Sequence, residues 1–443
     1  MPSRLTLASL PVQIMQDDSL NVLGIGANGR LEIASQPIGG NVFVCGDSTA
    51  WFARDDINGD TLMLSCDAQS PLSHLNAITG GGFYQVGNSA VSGVDSGHLI
   101  ATQLPTILAS NPAADWVFCS IGANDFYHSS YLRNAEYVKA NVMRFLRELA
   151  LAGKRCVFLL GYPRGPGAVG SNTYSSSQQV EQLKYVAWAK ANLQAIFPQH
   201  IIIDSYWPAA NTDGTAAAGW TYDDLHQNTK YARLIAKLIA ARMPIINRTI
   251  YPRLMSANEY FGAGGATKNI LGNMLMTGTD GSTALPAAWT EAVKSNCTAS
   301  YLLKANPYGA GKQLEITVVF SAAGQIVLQA AESYTASSRI TTADKWFPSG
   351  VVDFDEPSAG IVKDAYIRGM QTDGTTTRYS FGTWHRTGDT SSGGYFEDAQ
   401  NETQVGPVQT GLNATSHNLQ FSLRSTGAGT VIWRIAEPAI WKL

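Results

Sequence analysis

The chain has 443 residues, which is more than a single hydrophobic core usually organises, so we expect at least two domains. Hydrophobic residues make up 45% of it and charged residues 15%, an ordinary globular composition that excludes a wholly disordered chain. The formal net charge is −3 and no basic cluster stands out. We therefore predict no nucleic-acid partner, because such a partner would need a positive stripe to neutralise its phosphates.

Residues 1–40 form a Gly- and polar-rich leader with a predicted short strand at 29–33. No export signal is convincing here, because the short apolar stretch is broken by Pro11. Both an attachment segment and a plain N-terminal extension are open for this region. No run in the chain approaches the ~20 apolar residues that span a bilayer, so we expect no membrane insertion.

Residues 41–250 alternate between short apolar runs and helical stretches. Near-continuous apolar runs are typical of parallel strands whose two faces are covered by helices. Amphipathic segments with helical spacing lie around 137–149, 180–193 and 231–239. Strands that alternate with helices predict βαβ crossovers and therefore an α/β domain with a doubly wound parallel sheet. The predicted strands are 41–45, 116–119, 156–160 and 201–203.

The pattern changes beyond residue 255, where helical periodicity fades and Gly, Ser, Thr and Asn become frequent. Apolar and polar residues alternate around 314–318, 419–423 and 431–435, which indicates antiparallel strands. We therefore predict a C-terminal antiparallel β-sandwich, jelly-roll-like, over residues 256–443. Its aromatic residues either stack on sugar rings or form sandwich core, and core is the commoner role. They include Trp346, Tyr379, Trp384, Tyr395, Phe396, Trp433 and Trp441.

The five cysteines do not suggest a disulfide framework or a zinc site, because their number is odd and no C-x-x-C spacing occurs. Three of them lie in predicted strands, where a cysteine behaves as a small hydrophobic residue. These three are Cys45, Cys119 and Cys156. Asp353, Asp355 and Glu356 could bind calcium, although a solvated loop is preferred. We predict no metal and no cofactor.

Four short segments carry the candidate chemistry. Gly46-Asp-Ser48 directly follows the first predicted strand, where a strand's carboxyl end meets the free N–H groups of a helix start. Asn88-Ser-Ala-Val-Ser-Gly93 is a turn-like segment, and Gly122-Ala-Asn-Asp125 follows another buried strand. Asp223-Asp-Leu-His226 precedes the last helix of the domain. An Asp and a His at this spacing can face one side of a tight turn, where the carboxylate orients the imidazole as a general base.

The order of these four segments resembles the SGNH, or GDSL-type, serine hydrolase superfamily. The resemblance covers residues 41 to about 245, roughly half of the chain. It implies a five-stranded parallel sheet between helices, in agreement with the pattern of apolar runs. It also implies ester hydrolysis by a serine nucleophile.

By position, the resemblance implies a triad in which Ser48 is the nucleophile, His226 the base and Asp223 the acid that orients His226. It implies an oxyanion hole made of the backbone N–H groups of Ser48 and Ala90 and the side-chain amide of Asn124. The family usually has glycine where this chain has Ala90. Alanine can supply the same N–H if its φ is negative, but it is strained if φ is positive.

The other acids and histidines are predicted to have structural rather than catalytic roles. Asp224 could orient the base instead, but the three-residue spacing favours Asp223. Asp47 and Asp125 are predicted to bond turn amides near the site. Three histidines are predicted to be surface or loop residues, and these are His74, His98 and His128.

The segment between the first two motifs, about 55–82, is polar and Gly-rich, and no apolar lid or interfacial helix is apparent. This favours a small acyl group on a polar scaffold, such as an O-acetyl group on a polysaccharide. An esterase joined to a jelly-roll-like β domain resembles bacteriophage tail spike and fibre proteins. That resemblance implies deacetylation of host capsule or O-antigen, attachment to a virion, release by lysis, and a homo-oligomer such as a trimer. A bacterial xylan-type acetyl esterase and a glycan-binding adhesin with an inactive hydrolase domain are the alternatives.

Overall fold

The computed structural model describes residues 21–25, 31–35, 40–51, 63–67, 69–79, 83–110, 114–127, 133–165, 174–221, 223–243, 271–273, 275–279, 285–307, 311–333, 336, 338–355, 358, 361–384, 402–406 and 408–442. Within the leader, two short strands, β1 (Asn21–Ile25) and β2 (Leu31–Ser35), form an antiparallel pair. The strand predicted at 29–33 thus overlaps β2 in part.

The first large element is a parallel sheet of five strands in the order β5-β3-β6-β7-β8. All four neighbouring pairs run parallel, so the predicted doubly wound sheet is confirmed. Its strands are β3 (Gly40–Gly46), β5 (Phe83–Asn88), β6 (Trp116–Ser120), β7 (Arg155–Leu159) and β8 (Ile201–Ile203).

Helices cover both faces of this sheet. Alternate strand residues point to opposite sides, so each strand contributes side chains to both helix layers. Val117 and Cys119 pack with helices α5 and α6 on one face, whereas Trp116 and Phe118 pack with α2 and α7 on the other. The helices are α1 (Ser48–Trp51), α2 (Pro71–Thr79), α3 (Ser96–His98), α4 (Leu104–Leu108), α5 (Ala135–Leu151), α6 (Ser176–Ile196) and α7 (Thr229–Arg242), with a π-helical turn Leu99–Gln103 between α3 and α4 and a 3₁₀ turn Trp207–Ala209.

The C-terminal half forms a second, largely antiparallel sheet of ten strands. Strand β10 is long enough to pair with β17 along Leu314–Phe320 and with β16 along Gly324–Ser333, while β9 lies along its other edge. The antiparallel character of this region is confirmed, whereas a jelly-roll order of separate sheets is not seen among the described strands. Its strands are β9 (Trp289–Ala305), β10 (Lys312–Ser333), β11 (Lys345–Asp355), β12 (Val362–Thr372), β13 (Thr377–Trp384), β14 (Glu402–Val405), β15 (Gln409–Thr410), β16 (Ser416–Ser425) and β17 (Gly429–Lys442).

The tenth strand of this sheet comes from the α/β half of the chain. Strand β4 (Met63–Asp67) lies in the segment predicted to be a polar insertion and pairs in parallel with β13. The backbone N–H of Val408 also donates to the carbonyl of Gln85 in β5, at 3.1 Å. The two halves of the chain are therefore joined by backbone hydrogen bonds.

Two predictions about individual side chains are wrong. His74 was predicted at the surface, but it lies in α2 and is fully buried, since α2 packs between the parallel sheet and the C-terminal sheet. Asp353 and Asp355 were predicted in a solvated loop, but they lie in strand β11, where Asp353 binds Arg434. Glu356 and His128 lie outside the described residues.

The core role expected for the aromatic residues is confirmed at three positions. Trp346, Trp433 and Trp441 are buried in the C-terminal sheet, so their rings are not offered to a sugar. Tyr379 is partly exposed, and the structure does not describe the side chains of Trp384, Tyr395 and Phe396. Cys45, Cys119 and Cys156 are buried with free thiols, as the strand prediction implied.

In the part of the chain that the structure covers, none of the helices combines the length and the apolarity needed to cross a bilayer.

Candidate active site

Ser48, His226 and Asp223 form a hydrogen-bonded chain at the carboxyl end of the parallel sheet. Nε2 of His226 lies 2.9 Å from Oγ of Ser48, and Nδ1 lies 2.6 Å from Oδ2 of Asp223. Oδ1 of Asp223 accepts the backbone N–H groups of His226 at 2.7 Å and of Leu225 at 3.0 Å. One carboxylate therefore fixes both the turn and the ring, which directs Nε2 at the serine hydroxyl.

These bonds also keep Asp223 ionised. Its burial would raise the carboxyl pKa, but the hydrogen bonds from the ring and the backbone of His226 outweigh burial, and the pKa is lowered. The neighbouring Asp224 has a positive φ of 61°, and its carbonyl accepts the N–H of Gly165 at 2.6 Å. The carboxylate that contacts the imidazole therefore belongs to Asp223, whereas the backbone carbonyl of Asp224 binds the N–H of Gly165.

The turn that carries Ser48 depends on the close approach of strands β3 and β6. Gly46 ends β3 with φ +125°, and a Cβ there would lie 1.9 Å from the carbonyl oxygen of Ser120 in β6. The next residue, Asp47, donates its N–H to that same oxygen at 3.0 Å. The chain then turns directly into α1, so that Ser48 is the first helical residue. The N–H of Ser48 has no acceptor among the described residues, as expected at a helix start.

Asp47 is a structural residue of this turn. It is buried, and Oδ1 accepts both the N–H of Thr49 at 2.9 Å and its hydroxyl at 2.7 Å. Burial raises the pKa of the Asp47 carboxyl, and the bonds from Thr49 and the nearby charge of Arg164 oppose that rise. Asp47 thus bonds turn groups, as the sequence predicted.

Asn124 lies in the turn after β6, and both ends of its amide are bound. Nδ2 donates to the carbonyl of Val94 at 3.1 Å, and Oδ1 accepts from the guanidinium of Arg164 at 2.9 Å. The second proton of Nδ2 remains for another acceptor. The adjacent Asp125 is buried and accepts the N–H and hydroxyl of Ser96, which ties this turn to the start of α3. Burial raises the pKa of Asp125 to about 7.

The third predicted oxyanion donor, Ala90, has no strained backbone, because it is not among the residues with positive φ. Its N–H is engaged within its own turn, where it donates to Oδ1 of Asn88 at 2.8 Å. Gly93 in the same turn has φ +80°, is exposed, and has an N–H without an acceptor among the described residues. It directly precedes Val94, the acceptor of the Asn124 amide. Gly93 was not among the oxyanion donors predicted from the sequence.

The structure thus brings Ser48, His226 and Asp223 into direct contact, and it places Asn124 and Ala90 in the turns that follow the neighbouring strands β6 and β5. Three further residues hold these turns, and no motif in the sequence marks them. Gln227 donates from Nε2 to the carbonyls of Thr49 at 2.7 Å and Gln69 at 3.1 Å, which links helix α1 to the chain leaving β4. The remaining supports are Gln103 and Arg164, which contact Gly46 and Asn124.

Comparisons with known proteins locate the similarity in about half of the chain. No family model matches the sequence, and no curated protein matches it. An acylhydrolase structure from Bacteroides fragilis is 15% identical over 48% of this chain and 88% of its own, with a TM-score of 0.34. A GDSL-like lipase from Bacteroides thetaiotaomicron is 15% identical over 45% and 85%, with a TM-score of 0.32. An acetyl xylan esterase is 16% identical over 46% and 100%, with a TM-score of 0.33.

Each of these three solved structures matches less than half of this chain. Likeness at this level says nothing about the substrate of this chain.

Proposed function

We propose that this chain is a serine esterase in which Ser48 attacks the carbonyl carbon of an ester. The observation that carries the proposal is the hydrogen-bonded chain from Ser48 through His226 to Asp223, with atom separations of 2.9 Å and 2.6 Å. A serine hydroxyl is a weak nucleophile by itself, and a base within hydrogen-bond reach that a third group orients is what activates it.

In the first half of the reaction, Nε2 of His226 takes the Ser48 proton as Oγ bonds to the carbonyl carbon. Asp223 stabilises the resulting imidazolium, which then protonates the leaving alcohol as the ester C–O bond breaks. In the second half, His226 takes a proton from water, the hydroxide attacks the acyl-enzyme, and the carboxylate leaves as Ser48 regains its proton.

The negative charge on the carbonyl oxygen needs donors that are in place beforehand. We assign Ser48 N–H and the second Nδ2 proton of Asn124, because neither has another acceptor among the described residues. Ala90 N–H is the third proposed donor, and it would have to leave Asn88 or share its proton. Gly93 N–H is the alternative in the same turn.

Hydrolysis of a small acetyl ester tests the proposal. Ser48→Ala should lower the rate by a factor on the order of 10⁶, because the nucleophile is lost, whereas Asn124→Ala should lower it by about 10²–10³. His226→Ala should lower the rate by a factor of similar order, and His74→Ala, which removes a buried histidine outside the site, is its matched control and should keep the parent rate. Normal turnover by Ser48→Ala would overturn the assignment.

For the substrate, we propose O-acetyl groups on a polysaccharide. We further propose that the chain is a bacteriophage tail protein that deacetylates host capsule or O-antigen. The support is the polar, Gly-rich segment between the first two motifs and the attached β region. Acetate release from a panel of acetylated bacterial polysaccharides and xylan tests this. Release from xylan alone would favour a bacterial acetyl esterase, and binding of a polysaccharide without any release would favour an adhesin.

A further inference from the structure

Arg164 is a buried cation directly behind the Asn124 turn. It follows β7, and only 2% of its surface is exposed, so its guanidinium does not reach substrate. Its Nη2 donates to Oδ1 of Asn124 at 2.9 Å and to the carbonyl of Ala123 at 3.2 Å. The guanidinium carbon lies 4.7 Å from the ring centre of Tyr127 and 4.9 Å from that of Tyr174. Two rings and two acceptors therefore fix its position.

These contacts decide which way the Asn124 amide faces. The guanidinium of arginine has only hydrogen-bond donors, so the Asn124 side chain can bind it only when the acceptor atom Oδ1 faces it. The carbonyl of Val94 has only lone pairs, so it selects the Nδ2 end from the other side. With both partners present, the second Nδ2 proton has one fixed direction.

The positive charge of Arg164 adds to this effect. Hydrogen bonds from a charged donor are roughly twice as strong as neutral ones. A cation on Oδ1 draws electron density from the amide and makes the Nδ2 proton a better donor. A buried positive charge behind the donor also favours an oxyanion over a neutral carbonyl. The charge of Arg164 already acts on the site, since it opposes the rise that burial causes in the pKa of Asp47.

We infer that Arg164 is a positioning residue for the transition state, which acts by holding and polarising the Asn124 amide as an oxyanion donor. The inference rests on the proposed esterase function. We therefore expect the loss of Arg164 to lower kcat and to leave KM nearly unchanged, because the amide is required when the oxyanion forms and not when the ester binds.

A double-mutant cycle with Arg164→Met and Asn124→Ala tests the inference on an acetyl ester. Arg164→Met alone should lower kcat by about ten- to a hundredfold with little change in KM, and Arg164→Lys should restore part of the loss because it keeps the charge. In the Asn124→Ala background, Arg164→Met should lower kcat by less than about threefold, since the group it acts on is gone. The same fold-loss in both backgrounds would overturn the inference.

The matched control is Arg155→Met, at the opposite end of β7. Arg155 also lies over an aromatic ring, that of Trp116, at 5.4 Å, so it loses a similar contact away from the site. It should leave kcat unchanged. An equal loss in Arg155→Met would show a general effect of removing arginine and would contradict the specific role.

A crystal structure of Arg164→Met gives a readout that does not depend on turnover. The inference predicts that the Asn124 amide turns away from Val94 or adopts more than one rotamer, and an unchanged amide would overturn it. If the parent protein fails to hydrolyse esters, the proposed function fails, and this readout still decides whether Arg164 orients Asn124.

Discussion

The side chain of Gln103 pairs with both backbone polar groups of Gly46. Its Oε1 accepts the N–H of Gly46 at 2.7 Å, and its Nε2 donates to the carbonyl of Gly46 at 2.9 Å. Gln103 is fully buried in the π-helical turn before α4 and thus acts as a one-residue extension of the sheet beside the nucleophile turn. Without Gln103, the N–H of Gly46 would be buried without an acceptor, and the carbonyl of Gly46 would keep only the bond from the N–H of Val91, at 3.1 Å.

We therefore predict that Gln103→Leu lowers both stability and activity. An unsatisfied buried group costs about 1–3 kcal/mol, so the unfolding free energy should fall by that amount or more, and kcat should fall with it because the Ser48 turn loosens. Urea unfolding and ester hydrolysis measure the two effects.

Gln194→Leu is the control, because Gln194 makes the same pair of bonds far from the site, to the carbonyl of His200 at 2.9 Å and the N–H of Ile202 at 3.1 Å. It should lose stability and keep kcat. If Gln103→Leu kept full activity, the support of the nucleophile turn by Gln103 would be refuted.

Gly46→Ala should abolish activity. Its φ of +125° strains any other residue, and a Cβ would overlap the carbonyl oxygen of Ser120 at 1.9 Å, so β3 and β6 must separate. Gly153 is the control for backbone strain without steric overlap, because it has φ +68° but open space around a Cβ. Gly153→Ala should cost about 1 kcal/mol in a thermal or urea unfolding experiment and leave turnover intact. Soluble, active Gly46→Ala protein would contradict the described approach of the two strands.

Asp125 should make stability depend on pH. Burial raises its pKa to about 7 in the folded state, while an unfolded aspartate titrates near ~3.9. Between these values the folded state holds a proton that the unfolded state lacks, so stability falls as pH rises through this window. Asp125→Asn removes this titration, so its stability relative to the parent should increase from pH 4 to pH 7, by on the order of a few kcal/mol.

Thermal unfolding of both proteins across this range measures the difference. Asp213→Asn is the contrast, because hydrogen bonds from Thr215 lower the pKa of the exposed Asp213. The stability difference between Asp213→Asn and the parent should therefore change only when the pH falls below the ordinary pKa of an aspartate. A constant difference between Asp125→Asn and the parent at every pH would refute the assignment.

A fragment that ends at residue 250 should fold poorly. It would keep β4 but lose β13, the strand with which β4 pairs, and it would uncover the buried helix α2. We expect low solubility or a lower unfolding temperature than the full chain. A soluble fragment with the full esterase rate would show that the shared sheet is dispensable.

The sequence was informative where the signal is local. Ser48 follows an apolar strand, and Asp223 lies three residues before His226, so the motifs and the spacing carried these assignments. Gln103 and Arg164 lie 57 and 40 residues from the groups they hold, and a glutamine or an arginine in such segments is ordinary at the surface. Only the folded sheet reveals their partners.

The same limit explains the errors. Strand β4 was predicted as part of a polar insertion because its partner β13 lies more than three hundred residues away, and no local pattern reports such pairing. His74 is predicted to be a surface or loop residue, yet α2 is buried on both sides once β4 joins the second sheet. The strand order of the C-terminal region depends on β10 pairing with two strands in succession, which alternation alone does not show.

Covalent trapping measures whether His226 activates Ser48 as a nucleophile. The protein is treated with a fluorophosphonate, and the modified peptide is identified by mass spectrometry. We expect one adduct per chain, on Ser48, that forms far more slowly in His226→Ala and not at all in Ser48→Ala. An adduct on another residue, or labelling at the parent rate in His226→Ala, would contradict it.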